Sequence, residues 1–360
     1  MNAAGGIQNA ATNLARGLAG RFDVILLTFY PFPDEGVDGT QHTLRTLRLS
    51  PRRARFYARL HRLWQIWLAG FRLRRMLAAE AVETVICFQH EITIIATLAL
   101  PVGLKKISYE HAPFTAISRA WARLRRRCYS RLAAVVTLDQ QNRASFAAIT
   151  PRTLVIPHQV PSRLPSAFES RERILLSVGR IAHRYGLDRL LWAIKEPLQS
   201  HPEWKLVLVG TSEVEQSEHW YVNYLHDLAG LLQLGSNLEL YVSAHSCEHF
   251  YQRASIFVSG CRWETLQTTL LEAKAYGLPV VSYDHQMGLP DVVRDGVDGF
   301  IVNEGSTSFG AVVTKLMEDA ALRRQMGEAA LDDVRGRFGP AQVCRQWTDL
   351  IETVDAEQAA

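Results

Sequence analysis

No run of about 18 apolar residues, the length needed to cross a bilayer, occurs in this 360-residue chain. The longest candidate, ITIIATLALPVGL, is broken by Pro101 and Gly103. The first residues lack the basic-then-apolar order of a secretory leader. Cysteine is scarce, and Cys87, Cys128, Cys247, Cys261 and Cys344 stand apart with no C-x-x-C pair. This scarcity argues against a disulfide framework and a structural zinc, and it fits a reducing cytosol. D-x-D is absent, consistent with a site that works without a metal. No G-x-G-x-x-G follows a strand-like run, which disfavours a nicotinamide-dependent dehydrogenase. A soluble or peripheral protein is expected.

What is present suffices for a buried core: 48% of the residues are hydrophobic and 21% charged. The length suits two α/β domains better than one. The net charge of +4 hides an asymmetry: residues 1–165 carry 23 Lys/Arg against 9 Asp/Glu, and the remainder 17 against 27. One half is therefore suited to an anionic partner and the other is not. In the first half IQNAATNLARGLAG reads as a helix, and VILLTFY, TVICF, KKISY and AAVVTL read as strands. In the second half the strands are ILLSVG, KLVLVG, LELYV, SIFVSG, PVVSYD and GFIV, with helical segments between them. Short apolar runs separated by helices indicate parallel sheets of βαβ units. The Pro- and Ser-rich PHQVPSRLPSAFES is the best linker. Two Rossmann-like domains facing across a cleft are expected, with domains at 1–163 and 164–336 and a final helix at 337–360. The Gly5-Gly6 pair comes so early that the first N-terminal strand is expected to be missing or shortened.

The stretch RWETLQTTLLEAKAYGLPVVSYD places Glu264 at the mouth of a helix and Glu272 within it. At ~1.5 Å per residue the two carboxylates lie about 10 Å apart along the axis. Free N–H groups at Thr265, Leu266, Gln267 and Thr268 would favour an anion between them. A nucleotide-sugar has that layout, with a hexose at one end, a diphosphate over the helix mouth and a ribose diol at the other. Carboxylates accept paired hydroxyls well. For the two glutamates alone, a dipole-favoured terminal charge and a solvated helix face explain as much.

The surrounding string resembles the retaining glycosyltransferases of family 4. Glu264, Glu272, Ala273, Gly277, Pro279, Val280 and Val281 match its E-x₇-E and A-x-A-x-G-x-P-V-V pattern. DVVRDGVDGFIV, SVGRIAHRYG, VIPHQV and AGGIQNAATNLARGLA are similar to further segments of that family, in the same order along nearly the whole chain. The resemblance implies the two-domain GT-B fold and is strongest to bacterial enzymes that build surface polysaccharides or lipid-linked oligosaccharides. It implies that Glu264 binds donor-sugar hydroxyls and supports the transition state, that Glu272 binds ribose, and that Arg180 contacts the diphosphate. Gly6, Arg184, Leu266, Gln267 and Thr268 complete the implied donor side. His111 after the KKISY strand is the implied partner of Glu264 in catalysis; a structural histidine is an equal reading there, and the better one at His90. The family's phosphate-binding lysine falls on Tyr185, its G-F-G-L on Thr265-Leu266-Gln267-Thr268, and a glutamate on Asp291. The expected function is transfer of a hexose from a UDP-linked donor to a glycan or lipid-linked acceptor, with retention and without cofactor or metal. The alternative is a GT-B pseudoenzyme that binds the donor or serves as a membrane-associated scaffold.

Arg52, Arg55, Arg59 and Arg62 recur at helical spacing beside Leu60, Trp64, Trp67 and Phe71, and Arg119, Arg123, Arg126 and Arg127 repeat the basic pattern. Such a face suits an anionic membrane surface, with a solvated arginine face or a nucleic-acid patch as competing readings. The membrane leads, because the resemblance implies a lipid-linked acceptor. No nucleic acid is expected, and the location is cytoplasmic, peripheral on the inner face of the membrane. The GT-B resemblance also implies that the last helix crosses back, so Trp347 and Leu350 are expected to pack on the N-terminal domain, with Cys344 buried.

Overall fold

A computed structural model describes residues 6–28, 43–46, 70–78, 80, 82–150, 152–160, 170–210, 219–244, 246–263, 268–285, 288–304 and 308–359. It divides into two compact units, one of residues 2–159 with 341–360, the other of residues 160–340.

The first unit runs α1 (Gly6–Leu18), β1 (Ile25–Thr28), β2 (Thr43–Thr46), α2 (residues 70–77), β3 (Thr84–Cys87), α3 (His90–Ala99), β4 (Lys105–Glu110), α4 (Arg119–Tyr129), β5 (Ala134–Thr137), α5 (Gln140–Ala147) and β6 (Thr153–Val155). Strands β3 to β6 pair in chain order as a parallel sheet, and β1 pairs with β2, also in parallel. The four strands read from the sequence are β1, β3, β4 and β5. The two that sequence reading missed, β2 and β6, are four and three residues long. TLRT has one apolar residue in four and TLV is only three long, so neither stands out as an apolar run. The start of the chain, the arginine stripe Arg52–Arg62 with Leu60, Trp64 and Trp67, and most of the linker lie outside the described residues. Arg119, Arg123, Arg126 and Arg127 are exposed on α4.

The second unit continues with β7 (Ile174–Gly179), α6 (Leu187–Ser200), β8 (Lys205–Gly210), α7 (His219–Leu231), β9 (Leu238–Tyr241), α8 (Glu248–Arg253), β10 (Ile256–Ser259), α9 (Thr268–Ala275), β11 (Val280–Tyr283), α10 (Leu289–Val292), β12 (Gly299–Val302), α11 (Ser308–Glu318) and α12 (Ala320–Asp333). Its parallel sheet has the order β12-β11-β10-β7-β8-β9. Central strands with both faces covered read as unbroken apolar runs. KLVLVG fits that description: only its lysine is exposed. Leu175, Leu206, Leu208, Ile256 and Val281 of the sheet share one core with Leu190, Leu191 and Ile194 of α6 and Phe309 and Val313 of α11.

The last helix, α13 (Pro340–Ala359), clusters with the first unit. Val343, Trp347, Leu350, Ile351 and Val354 form its buried stripe, at the spacing of one helix face. The Trp347 ring meets Tyr109 of β4 edge-on at 5.0 Å. Lys105 donates to Asp355 at 2.5 Å, and Arg152 pairs with Glu357. Cys344 departs from expectation: it is half-buried, not buried, because it sits at the edge of the stripe against Gln159. Among the described residues no helix is long and apolar enough to cross a membrane.

Candidate functional site

The strand order of the second unit points to a place for chemistry. β7 and β10 are neighbours, but the chain leaves them in opposite directions, to β8 and β9 on one side and to β11 and β12 on the other. Such a switch point opens a crevice at the carboxyl ends of the two strands, where doubly wound sheets take their ligands. The loop after β7 carries Arg180 and a 3₁₀ turn, His183–Tyr185; the loop after β10 carries Cys261, Arg262 and Trp263. The two loops touch through glycines. Gly186 has φ +61, and a Cβ on it would lie 1.8 Å from the Gly260 carbonyl oxygen. Only glycine fits both demands. A small pocket at this point is lined by Arg180, Tyr185, Ser259, Cys261 and Thr269.

Two arginines fix the loop after β10. Arg189 of α6 donates to the Gly260 carbonyl at 2.6 Å and to that of Cys261, pairs with Glu304 at 2.7 Å, and lies over the Tyr283 ring. Arg262 makes two 2.8 Å bonds to Asp188 and one of 2.7 Å to the His183 carbonyl. Burial alone would raise the Asp188 carboxyl, but the Arg262 fork and the Tyr221 hydroxyl outweigh it and hold it at about 2. Arg184 donates to the Tyr185 hydroxyl at 2.6 Å and lies near the rings of Tyr185 and Trp263. Arg180 is exposed.

Thr268 opens the described part of α9, and Glu264, Leu266 and Gln267 lie outside the described residues. Glu272, one turn on, is exposed and accepts a 3.0 Å bond from the Tyr251 hydroxyl. Tyr251 is buried and stacked on Tyr276 at 5.3 Å; burial and then the Glu272 charge hold its phenol protonated. Lys274, fully buried, pins the same helix. Its ammonium donates to the Val292 carbonyl at 2.5 Å, to Asp333 at 2.5 Å and to Asp298 at 3.1 Å. Burial lowers its pKa, and the two aspartates oppose that fall.

In the first unit, His111 follows β4 inside an aromatic box. Tyr109, His158 and Phe88 surround it, with ring centroids 4.4, 4.8 and 5.6 Å away. Its Nδ1 lies 2.9 Å from the Tyr109 carbonyl, which can only accept, so Nδ1 carries the proton. Nε2 is buried, bears the lone pair and has no hydrogen-bond partner among the described residues. Burial pushes the imidazole down to about 4, so it is neutral at pH 7. His158 is lowered too, first by burial and then by His111. His90 instead lies beside Glu91 at 3.2 Å, at the start of α3.

Comparison with protein families gives two adjoining matches. Residues 4–162 match the Glycosyltransferase Family 4 model, and residues 162–333 match that of Glycosyl transferases group 1. The chain belongs to the family 4-like glycosyltransferases. It is 26% identical to an amylovoran biosynthesis glycosyltransferase of Erwinia amylovora, over 68% of this chain and 69% of that protein. It is 22% identical to an alpha-1,4-N-acetyl-D-galactosaminyltransferase of Campylobacter jejuni named for a GalNAc-containing PP-undecaprenol, over 97% of this chain and 96% of that one. Of further curated relatives the chain spans between 21% and 66%. Its fold resembles that of Anabaena HepE in complex with UDP and glucose, at a TM-score of 0.75 and 16% identity, covering 97% and 96% of the two chains.

In this glycosyltransferase, Arg180, Arg184, Thr268 and Glu272 all lie in the second unit, Arg180 and Tyr185 at the switch-point pocket and Glu272 farther along α9. Gly6 begins α1, and His111 stands in the first unit. Reading the sequence had missed His158, Tyr251, Arg189, Arg262 and Lys274. For Lys274 a signal existed: it falls three and four residues after Leu271 and Leu270, on the apolar face of its own helix.

Proposed function

We propose that the chain is a retaining, metal-independent hexosyltransferase that moves a hexose from a UDP-sugar to a glycan or lipid-linked glycan. The observation that carries this reading is Arg180 at the switch-point crevice with Glu272 on the helix that follows β10. Glu272, already oriented by Tyr251, would accept the ribose diol. Arg180 and the N–H groups at the mouth of α9 would take the diphosphate. As the anomeric carbon–oxygen bond breaks, negative charge grows on the leaving phosphate, and the Arg180 guanidinium would stabilise it without a metal. The acceptor hydroxyl attacks the anomeric carbon from the same face and gives its proton to that phosphate. Glu264 is assigned to the donor-sugar hydroxyls and to the developing positive charge at the anomeric carbon. Support comes from HepE, a similar fold in complex with UDP and glucose, and from the amylovoran and PP-undecaprenol in the names of two relatives. The exposed arginines of α4 suit peripheral docking on an anionic membrane.

One observation favours the non-catalytic reading. Tyr185 replaces the family's cationic phosphate ligand, and Arg184 is turned onto its hydroxyl. A UDP-sugar panel separates the two. Binding with donor hydrolysis, and a product of unchanged anomeric configuration by NMR, supports the enzyme. Tight UDP-sugar binding with no release of UDP under any acceptor leaves a donor-binding scaffold.

A further inference from the structure

Helix α7 has two unlike faces. Inward, Tyr221, Leu225, Leu228 and Ala229 are buried in the core. Outward, Trp220 is 54% and Tyr224 40% exposed, with exposed Asn223 and Asp227 beside them. Trp220 lies between two other rings, His183 at 6.3 Å with a 34° tilt and Tyr224 at 6.3 Å with a 39° tilt. The three rings make a shallow aromatic ledge. A solvent-facing cluster of rings of this kind suits a contact surface.

The ledge is fastened to the pocket described above. Directly beneath it, buried Tyr221 donates to Asp188 at 2.7 Å, and Asp188 holds Arg262. His183 shares its turn with Arg184 and Tyr185, and its carbonyl accepts from Arg262. Arg262 is followed by Trp263, itself 51% exposed, and then by Glu264.

Charge selects the occupant. α7 contains no lysine or arginine, and its outward face carries Asp227. The helix itself therefore offers no permanent positive charge to an anionic bilayer or a phosphate backbone, and the nearby Arg184 and Arg262 are engaged by Tyr185 and Asp188. Flat aromatic faces beside an amide and a carboxylate suit a sugar chain. A pyranose can lay its C–H face on a ring while its hydroxyls reach side-chain donors and acceptors. We propose that Trp220, Tyr224 and His183 form an accessory ledge that binds an uncharged stretch of glycan and tethers the acceptor chain beside the donor pocket. This rests on the glycosyltransferase reading and adds a second acceptor-binding surface, outside the reaction centre.

The test measures binding of maltohexaose, cellohexaose and chitohexaose by calorimetry and tryptophan fluorescence. Phosphatidylglycerol vesicles form the opposing arm, and UDP binding is followed in parallel. At least one hexasaccharide should bind the wild type at millimolar concentration. Trp220→Ala with Tyr224→Ala should weaken it by about tenfold, the worth of one or two ring contacts. Trp192→Ala, at an equally exposed tryptophan on α6 (55%), should leave it unchanged. Hexasaccharide binding that survives the double substitution overturns the ledge, as does absence of binding to all three sugars. Vesicle binding abolished by Trp220→Ala also overturns it, and gives the surface to lipid. Failure of the wild type to bind UDP would instead sink the donor reading, with the hexasaccharide arm still deciding the ledge.

Discussion

Lys274→Met removes one charge from the interior and keeps nearly the same length and apolar volume, so no cavity complicates the outcome. The wild-type ammonium is fully buried between Asp298 and Asp333. Breaking a buried ion pair by deleting one partner costs about 3–5 kcal/mol, since the other charge is left without its counterion. Here Arg294 still reaches Asp298 at 2.7 Å, and Arg337 still reaches Asp333 at 2.7 Å. The loss should therefore fall at the lower end, about 3 kcal/mol. For a unit spanning residues 160–340, each kcal/mol moves Tm by about 2–4 °C, so a fall of about 6–12 °C is expected by scanning calorimetry. UDP affinity should drop as well, because Lys274 ties to Val292 the helix that carries Glu272. A Tm within about 2 °C of wild type would refute the reasoning. It would show that the two arginines neutralise the aspartates by themselves.

Three further outcomes are expected. His111 titrates at about 4 when folded, below the ordinary 6.5 of an imidazole; the unfolded chain therefore gains a proton first, and stability from this residue falls by about 3 kcal/mol as pH drops from 6.5 to 4. His158 adds to the loss with the same sign; urea midpoints between pH 7.5 and 4.5 should slope less in His111→Phe, and an unchanged slope would contradict the buried neutral imidazole. Tyr185→Lys should tighten UDP binding by about 1–3 kcal/mol, and Arg180→Ala should abolish turnover; equal UDP affinity in all three proteins would place the diphosphate elsewhere. Reversing Arg52, Arg55, Arg59 and Arg62 to Glu should detach the protein from anionic vesicles, each arginine being worth about 1 kcal/mol; binding that is insensitive to salt or equal on neutral vesicles would defeat the electrostatic account.

The strands that position the pocket were legible because ILLSVG, KLVLVG and SIFVSG are unbroken apolar runs bounded by glycine. The placing of Glu272 on the helix after SIFVSG was legible through the spacing of a family pattern, not through its chemistry alone. What stayed hidden depends on contacts between distant parts of the chain. Tyr251 reaches Glu272 from 21 residues away. Gly186 and Gly260 meet only because the strand order puts β7 beside β10. His158 carried no signal of its own; its role emerges when the segment after β6 lays it on His111. Arg119, Arg123, Arg126 and Arg127 were visible as a basic pattern, but Arg189 and Arg262 were not, since their partners are backbone carbonyls, Asp188 and Glu304, distant in the chain.

Calorimetric titration of UDP into wild type and Glu272→Ala tests the central claim most directly. The account places the ribose diol on this carboxylate, which Tyr251 holds ready at 3.0 Å. Two charge-assisted hydrogen bonds at about 1.5–3 kcal/mol each predict an affinity lower by about a hundredfold or more in the variant, with Tm little changed because Glu272 is exposed. UDP that binds both proteins equally well would contradict the account and remove the nucleotide from this helix.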